Sequence, residues 1–257
     1  MILALDIGNT NITLGCFNED KLLFISRVAT DPSRMEDQYA LELRDILDIY
    51  GVKARQLTGS IISSCVPSLT GPIRRAIEKI SNTSPLVVGP GLKTGLNIRV
   101  ENPASVGADL VVGCVAVLEK YPCPCIILDM GTATTFSVMD AKKNMLGGCI
   151  MPGVRISLDA LSTRTAQLPQ IGLFKPEKII GANTVDCMNA GMVYGMAAMI
   201  DGVCDRIEEE LGSACTVIAT GGIARDITPF CKRDVILDEN LLLEGLLILY
   251  KKNQTAC

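Results

Sequence analysis

The chain has 257 residues, of which 48 % are hydrophobic and 20 % charged, a composition that suits one large or two ordinary folded domains and excludes a disordered chain. Its formal net charge of −4 creates no strong field for nucleic acid or an anionic membrane, so we expect neither as a partner. The chain contains no histidine, which excludes Ser-His-Asp and Cys-His catalysis. Any general base must then be Asp, Glu, Lys, Tyr or Cys.

The chain shows no targeting or membrane signal. It starts directly in a strand pattern without a basic region or cleavage site, and no apolar run reaches the roughly 18 residues that a membrane span requires. The cysteines include one close pair, Cys123 and Cys125, but no CxxC motif. We therefore expect a soluble, cytoplasmic protein with mostly buried, reduced thiols and no zinc site.

The first part of the chain predicts three strands and then alternating helices and strands. Apolar periodicity and turn residues place these elements. The predicted strands are Met1–Asp6, Asn11–Phe17, Lys21–Val28, Ser60–Ser64 and Pro85–Val88, and the predicted helices are Asp37–Tyr50, Thr70–Ser81 and Leu110–Leu118.

The same order restarts in the second part. The predicted strands are Cys125–Asp129, Thr134–Met139, Met145–Ile150 and Thr216–Thr220, and the predicted helices are Val185–Leu211 and Asp238–Tyr250. Residues 5–13 can be laid over residues 128–136 without a gap. In both segments an apolar strand leads into Asp, an apolar residue, Gly and a polar cluster. This repetition predicts duplicated domains, residues 1–118 and 119–257.

Both repeated turns favour phosphate binding. Asp6 and Asp129 each end a buried strand, and the glycine two residues later permits a tight turn. The hydroxyl and amide side chains that follow, together with backbone N–H groups, could cradle phosphates. Asp6 could hold magnesium through water, because magnesium loses its hydration shell reluctantly. A plain hairpin would explain one such turn, whereas two matching turns favour function.

Three further segments could contribute to a site. Asp109 precedes an apolar helix, where it could cap the helix or act as a general base. The glycine pair 221–222 follows a strand and would let a flat ligand or a backbone approach closely. Asn183 and Thr184 precede a helix rich in small residues, which suits either internal packing or self-association.

Together these segments resemble type III pantothenate kinases, a family within the actin-like superfamily of sugar kinases, acetate kinases and chaperone ATPases. The resemblance extends over nearly the whole chain. The matching segments are DIGNTNIT (6–13), SSCVPSLT (63–70), NPASVGAD (102–109), DMGTATT (129–135), GGCIMPG (147–153), NT (183–184) and TGG (220–222). It implies an α/β fold of two tandem RNase H-like domains, each with a mixed five-stranded sheet and flanking helices.

The resemblance also implies a reaction and residue roles. ATP, with Mg²⁺ and a monovalent cation (K⁺ or NH₄⁺), would phosphorylate pantothenate to 4′-phosphopantothenate, the first step of coenzyme A biosynthesis. Asp109 would take the proton from the substrate hydroxyl, Asp129 would help bind the monovalent cation, and Asp6 would lie near magnesium. The implied ATP contacts are Asp6, Ile7, Gly8, Asn9, Thr10, Asn11, Ile12, Thr13 and Thr132. The implied pantothenate contacts are Gly107, Ala108, Asp109, Leu110 and Thr184, the last supplied by the second subunit of a homodimer.

Two positions depart from the family pattern. Leu110 stands where the family usually has arginine, and Val100 where it commonly has tyrosine. Arg99 is adjacent to Val100, but alternation along an extended strand would point it the other way. Two alternatives therefore stay open: a kinase for another small alcohol, and a non-catalytic nucleotide-sensing regulator. A purely structural dimer would not explain the repeated Asp-x-Gly turns.

Overall fold

The computed structural model describes residues 1–254. These residues form two compact units, and each unit contains one mixed sheet with helices packed on it. Residues 255–257 of the predicted second domain lie outside the described residues. No helix within residues 1–254 has the length and apolar character needed to cross a membrane.

The first unit comprises residues 1–96 and 102–119 together with the last helix of the chain. Its strands are β1 (Ile2–Ile7), β2 (Asn11–Asn18), β3 (Lys21–Ala29), β4 (Gly59–Ser64) and β5 (Leu86–Val87). Its helices are α1 (Glu36–Ile49), α2 (Pro67–Ser81), α3 (Ala108–Lys120) and, from the end of the chain, α7 (Leu241–Gln254), with short 3₁₀ turns at Ala54–Gln56 and Pro103–Ser105.

The second unit comprises residues 97–101 and 120–240. Its strands are β6 (Asn97–Ile98), β7 (Cys125–Met130), β8 (Ala133–Met139), β9 (Asn144–Pro152), β10 (Thr216–Thr220) and β11 (Ile236–Leu237). Its helices are α4 (Val154–Arg164), α5 (Thr184–Leu211) and α6 (Ala224–Ile227), with a 3₁₀ turn at Thr228–Phe230.

The two sheets share one topology. The first has the order β3-β2-β1-β4-β5, and the second contains β9-β8-β7-β10-β11 in the corresponding positions, with β6 added beside β9. In each, the first three strands are antiparallel and the next two are parallel. The predicted duplicated α/β fold is therefore confirmed. The second sheet gains a sixth strand because residues 97–98 pair with 144–145.

The duplication contains one register difference. Four residues (8–11) separate the paired Ile7 and Ile12, whereas three (131–133) separate Met130 and Thr134. The ungapped overlay in the sequence analysis, which places residue 13 on residue 136, is therefore wrong by one position after the glycine. Because the second turn is shorter, it is Thr135 that corresponds to residue 13.

Some boundaries and elements differ from the predictions. Helix α2 begins at Pro67, three residues before the predicted start, because proline suits the first helical position. Helix α4 was not predicted, since only Val154 and Leu158 of it are buried and its apolar pattern is weak. The structure also groups α7 with the first unit, whereas the sequence analysis assigned it to the second domain. Gly245 of α7 permits this packing, because a Cβ there would lie 2.5 Å from the carbonyl oxygen of Val112.

Strand alternation sets the direction of the two aspartates. In β1, Leu3, Leu5 and Ile7 are buried in the core formed with α1 and α2. In β7, Ile126, Leu128 and Met130 are buried in the second core. Asp6 and Asp129 occupy the alternate positions, so each faces away from that core at the end of its strand.

Candidate active site

The turn between β1 and β2 is held from both sides by side chains. The N–H of Gly8 donates to the carbonyl of Asn11 at 3.0 Å, which closes the turn. The Thr30 hydroxyl donates to the carbonyl of Gly8 at 2.7 Å. On the other side, the thiol of Cys65 accepts from the Asn9 amide at 3.5 Å. The exposed Asn9 and Thr10 thus project from a supported turn.

Asp6 and Asp109 form an acidic pair in the first unit. Burial is the largest cause that raises the pKa of Asp6 from 3.8 to about 6, the neighbouring Ser63 opposes the rise, and the negative charge of Asp109 adds to it. The two carboxylates come from segments about a hundred positions apart, the end of β1 and the start of α3. The negative charge of Asp109 beside Asp6 makes this place favourable for a cation.

The Asp109 carboxylate has a defined position. Its Oδ1 accepts the backbone N–H of Leu110 at 2.9 Å, one of the N–H groups that a helix start leaves unpaired. A Cβ at Gly107 would lie 2.5 Å from the same oxygen. A side chain at 107 would therefore displace the Asp109 carboxylate, which in this arrangement pairs a backbone N–H at the helix start and lies close enough to Asp6 to influence it.

The turn between β7 and β8 is supported by close backbone approach. Gly153, which precedes α4, lies close to the backbone of this turn: a Cβ added to Gly153 would be 2.4 Å from the Thr132 carbonyl oxygen. Gly221 has φ of +94°, and a Cβ there would lie 2.7 Å from Asp129 Oδ1 and from the backbone of Met130. The glycine pair was predicted to let a ligand or a backbone approach closely. In the structure, Gly221 lies close to the backbone of the second turn.

The two aspartates have equivalent neighbours in their sheets. Asp6 lies between Thr13 of β2 and Ser63 of β4. Asp129 lies between Thr135 of β8 and Thr220 of β10. Each unit therefore places a carboxylate between two hydroxyl residues at one end of its sheet.

The residues predicted to contact ligands differ in their exposure. The side chains of Ile7 and Ile12 are buried in the first core, so only their backbone atoms could face a ligand. Gly8, Asn9, Thr10, Asn11 and Thr13 are exposed or partly exposed, as are Gly107, Ala108, Asp109, Leu110, Asp129 and Thr132. Thr184 is the exposed first residue of α5 and belongs to the second unit.

Val100, one of the two departures from the family pattern, and its neighbour Arg99 belong to the second unit. Val100 lies beside Gly147. The Cγ1 atom of Val100 would be 3.8 Å from a Cβ added at residue 147. Burial works to raise the pKa of Asp140, but hydrogen bonds from Asn144 and Lys142 and the charge of Arg99 hold it below its usual value. The charge of Arg99 thus acts on Asp140, a residue of the second unit.

A groove runs along α5 in the second unit. It has a volume of about 480 Å³ and is bordered by Ile179 and Ile180, whose exposed fractions are 65 % and 78 %. Its floor consists mainly of small residues of α5, namely Cys187, Ala190, Gly191, Gly195 and Ala198, with Tyr194 beside them. Large apolar residues exposed next to a floor of small ones form a surface of the type that another helix can cover.

Sequence reasoning gave no role to three supporting residues of the two turns, although two of them, Cys65 and Gly153, lie in segments that match the family. Thr30 and Cys65 lie just beyond β3 and β4, and Gly153 follows β9. The position of each at a strand end was a usable signal, since strand ends on one edge of a sheet converge. Within residues 1–254, no group of three or more Cys, Asp or Glu has a metal-binding arrangement.

Comparison with known proteins identifies the family. The family model for type III pantothenate kinase matches residues 2–206. A type III pantothenate kinase of Exiguobacterium sp. strain AT1b is 45 % identical over 254 residues, covering 99 % of this chain and all of the relative. Among solved structures, a conserved protein from Campylobacter jejuni assigned to a Baf family of transcriptional activators has a TM-score of 0.60 at 18 % identity, covering 98 % of this chain and 99 % of that one.

A protein from Sinorhizobium meliloti assigned as a 2-dehydro-3-deoxygalactonokinase has a TM-score of 0.59 at 12 % identity. The alignment covers 98 % of this chain and 96 % of that chain. At these identities the structural likenesses show a shared fold and nothing further.

Proposed function

Because this chain belongs to the type III pantothenate kinase family, we propose that it transfers the γ-phosphoryl group of ATP to the primary hydroxyl of pantothenate. The reaction would form 4′-phosphopantothenate and ADP, at the start of coenzyme A biosynthesis. The proposed location is the cytoplasm, where ATP is available and free thiols stay reduced.

The acidic pair Asp6 and Asp109 is the observation that carries the proposal. A phosphoryl-transfer site needs positioned donors for phosphate, a cation to neutralise charge, and a group that orients the attacking hydroxyl. The supported turn beside Asp6 supplies donors, and Asp109 supplies a carboxylate in the same unit. In a chain without histidine, a carboxylate is the natural group to accept the hydroxyl proton.

The chemistry of the acidic pair fits a magnesium ion. A partly buried carboxylate with a raised pKa next to a second carboxylate is stabilised by a hard cation. Asp6 would hold Mg²⁺ through water, because magnesium loses its hydration shell reluctantly. When bound, the ion neutralises the phosphates of ATP.

Asp129 is the proposed ligand of the monovalent cation. It lies between the hydroxyl residues Thr135 and Thr220, and the oxygen-rich surroundings of this carboxylate suit K⁺ or NH₄⁺. Thr132, in the adjoining turn, is the proposed ATP contact of the second unit. Its backbone is held in place by Gly153.

The test is an assay of ADP release with ATP, Mg²⁺ and pantothenate, in potassium and then in sodium buffer. We expect turnover that depends on pantothenate and is stimulated by potassium. Asp109→Asn keeps the shape of the side chain but removes its basicity, and it should lower kcat about 100- to 10,000-fold. Asp37→Asn is the matched control, because Asp37 also lies in the first turn of a helix but is exposed.

Each contrary outcome identifies a different failure. Turnover with another alcohol, but not with pantothenate, would overturn the substrate assignment and leave the kinase assignment standing. ATP binding without turnover on any alcohol would favour a nucleotide-sensing regulator. Full activity of Asp109→Asn would remove Asp109 from the role of base.

A homodimer with an active site at its interface is the second part of the proposal. The groove along α5 would be covered by the same groove of a second copy, and Thr184 at the start of α5 would reach the partner's pantothenate. A twofold contact of this kind uses the same patch on both subunits. The small residues of the groove would let two α5 helices approach closely.

Gly195→Arg tests the dimer without disturbing the monomer. A Cβ at Gly195 meets no atom within 4 Å, so the folded monomer has room for the new side chain, whereas a covering helix would not. We expect the wild type to elute as a dimer, and the variant to elute as a monomer with little activity. Gly89→Arg is the control, since its Cβ also meets no atom within 4 Å. An active monomeric variant would contradict the interface site.

A further inference from the structure

Cys65 contacts the first phosphate-binding turn through both functions of its thiol. The residue directly follows β4 and is partly buried. Its Sγ accepts from Nδ2 of Asn9 at 3.5 Å. The same Sγ donates to the carbonyl of Ile7 at 3.3 Å. One side chain thus joins the last residue of β1 to an exposed side chain within the turn.

The electrostatic surroundings keep this thiol neutral. Burial is the largest cause that raises the pKa of Cys65, and the charges of Asp109 and Asp6 raise it further. A thiolate could not donate to the Ile7 carbonyl, whereas a protonated thiol can donate and accept at the same time. The two observed hydrogen bonds are therefore those of the protonation state that the site favours.

The contact with Asn9 restricts the orientation of an exposed amide in the turn. The Nδ2 group carries two N–H donors, and the thiol takes one of them. The other N–H of the planar amide then points away from the sulfur. Without the thiol, the exposed Asn9 side chain would be free to rotate, and binding a phosphate would have to restrict that rotation at an entropic cost.

We propose that Cys65 is a positioning residue of the nucleotide site, which holds the Asn9 amide ready to donate to a phosphate oxygen of ATP. This inference rests on the proposed function, because it takes the turn to be the ATP phosphate site. It adds the residue that follows β4 to a site whose other predicted phosphate donors come from the turns themselves.

The backbone of Cys65 makes a hydrogen bond of its own, so an effect of the side chain on the turn can be distinguished from an effect on folding. Its N–H donates to the carbonyl of Ile7 at 3.0 Å, so the junction between β4 and β1 keeps this bond whatever side chain stands at 65. Replacing the thiol should therefore change the turn more than the sheet.

The principal experiment compares Cys65→Ala with Cys65→Ser. Alanine removes both thiol bonds, so KM for ATP should rise about three- to tenfold while kcat and KM for pantothenate stay within about twofold. Serine can make both bonds and should keep KM for ATP within about twofold of wild type. Cys215→Ala is the matched control, because Cys215 is also partly buried but lies in the second unit.

A labelling experiment on the wild-type enzyme avoids any effect of mutation on folding. N-ethylmaleimide adds the S–H of a thiol across its C=C bond, forming one S–C and one C–H bond with no leaving group. ATP with Mg²⁺ should slow the labelling of Cys65 severalfold and leave the labelling rate of Cys215 unchanged. Peptide mass spectrometry measures both rates.

The outcomes separate this inference from the proposed function. Unchanged KM for ATP in Cys65→Ala, failure of serine to restore it, or equal labelling of Cys65 with and without ATP would each overturn the positioning role. Absence of pantothenate-dependent turnover in the wild type would instead overturn the substrate. In that case calorimetric titration with an ATP analogue still tests Cys65, since weaker binding by Cys65→Ala supports its role without any acceptor.

Discussion

The two Asp-x-Gly turns are similar in sequence and topology but are supported by different contacts. The first is held by side chains, with the Thr30 hydroxyl on one side and the Cys65 thiol on the other. The second is held by glycines, since Gly153 and Gly221 approach its backbone too closely for any side chain. Duplication therefore preserved the strand-turn-strand unit while the means of support diverged.

This difference predicts how each turn responds to mutation. A side-chain contact can be removed and leaves the backbone path open, so its loss should be graded. A close backbone approach allows no added atom, so even one methyl group must displace the turn. We therefore expect substitutions at the supporting glycines of the second turn to be the more damaging.

The largest effect is expected for Gly221→Ala. The residue has φ of +94°, and its Cβ would lie 2.7 Å from Asp129 Oδ1, so both backbone strain and displacement of Asp129 follow. We expect a loss of about 2–5 kcal/mol in unfolding free energy and at least a tenfold loss in kcat/KM. Gly212→Ala is the control, because it has φ of +67° but open space around it.

Urea unfolding and steady-state kinetics measure both parts of this prediction. The control should lose about 1 kcal/mol from its positive φ alone and keep its activity. Equal losses in the two variants would show that backbone strain, and not contact with Asp129, dominates at Gly221.

An intermediate effect, of opposite sign, is expected for Asp6→Asn. The folded-state pKa of Asp6 is raised from 3.8 to about 6, so the folded state binds the proton more tightly than the unfolded state. Ionisation of Asp6 therefore costs stability progressively between about pH 4 and pH 6, and the whole cost is present above about pH 6. The neutral amide should stabilise the protein by about 3 kcal/mol near pH 7.5, with little gain near pH 4.

Thermal unfolding at the two pH values checks this prediction. Exposed Asp234→Asn serves as the control and should change stability by less than about 0.5 kcal/mol at either pH. The stabilised Asp6 variant should be inactive, as expected for a residue whose unfavourable charge serves function. A gain that is the same at both pH values would show that the burial of a charge is not its cause.

The smallest effect is expected for Thr30→Val. This change removes the 2.7 Å hydrogen bond to the Gly8 carbonyl but keeps the backbone bond from Thr30 N–H to Thr10. We expect a loss of about 1 kcal/mol in stability and a severalfold rise in KM for ATP. Thr58→Val is the control, because its hydroxyl bonds to Met1 at the other end of β1. A control that raises KM equally would refute a local role of Thr30 in the turn.

Much of the site could be predicted because its chemistry lies in short segments. An aspartate at the end of an apolar strand, followed by glycine and hydroxyl residues, is visible in the sequence at Asp6 and again at Asp129. The repeat also revealed the duplicated fold, since strand order follows from apolar periodicity. The one-residue offset after the glycine was not visible, because only pairing across the strands shows the length of a turn.

The remaining features depend on contacts between distant segments. The amino-acid sequence by itself determined the order of the strands and long helices, the exclusion of histidine chemistry and the identity of the three aspartates, because these depend on local pattern and residue type. Only the tertiary structure decided that Asp109 lies near Asp6. It also decided that Cys65 and Thr30 hold the turn between β1 and β2, and that Gly153 and Gly221 pack closely against the turn between β7 and β8. Such contacts join residues from different strands and helices, and their positions are set by the packing of the whole sheet.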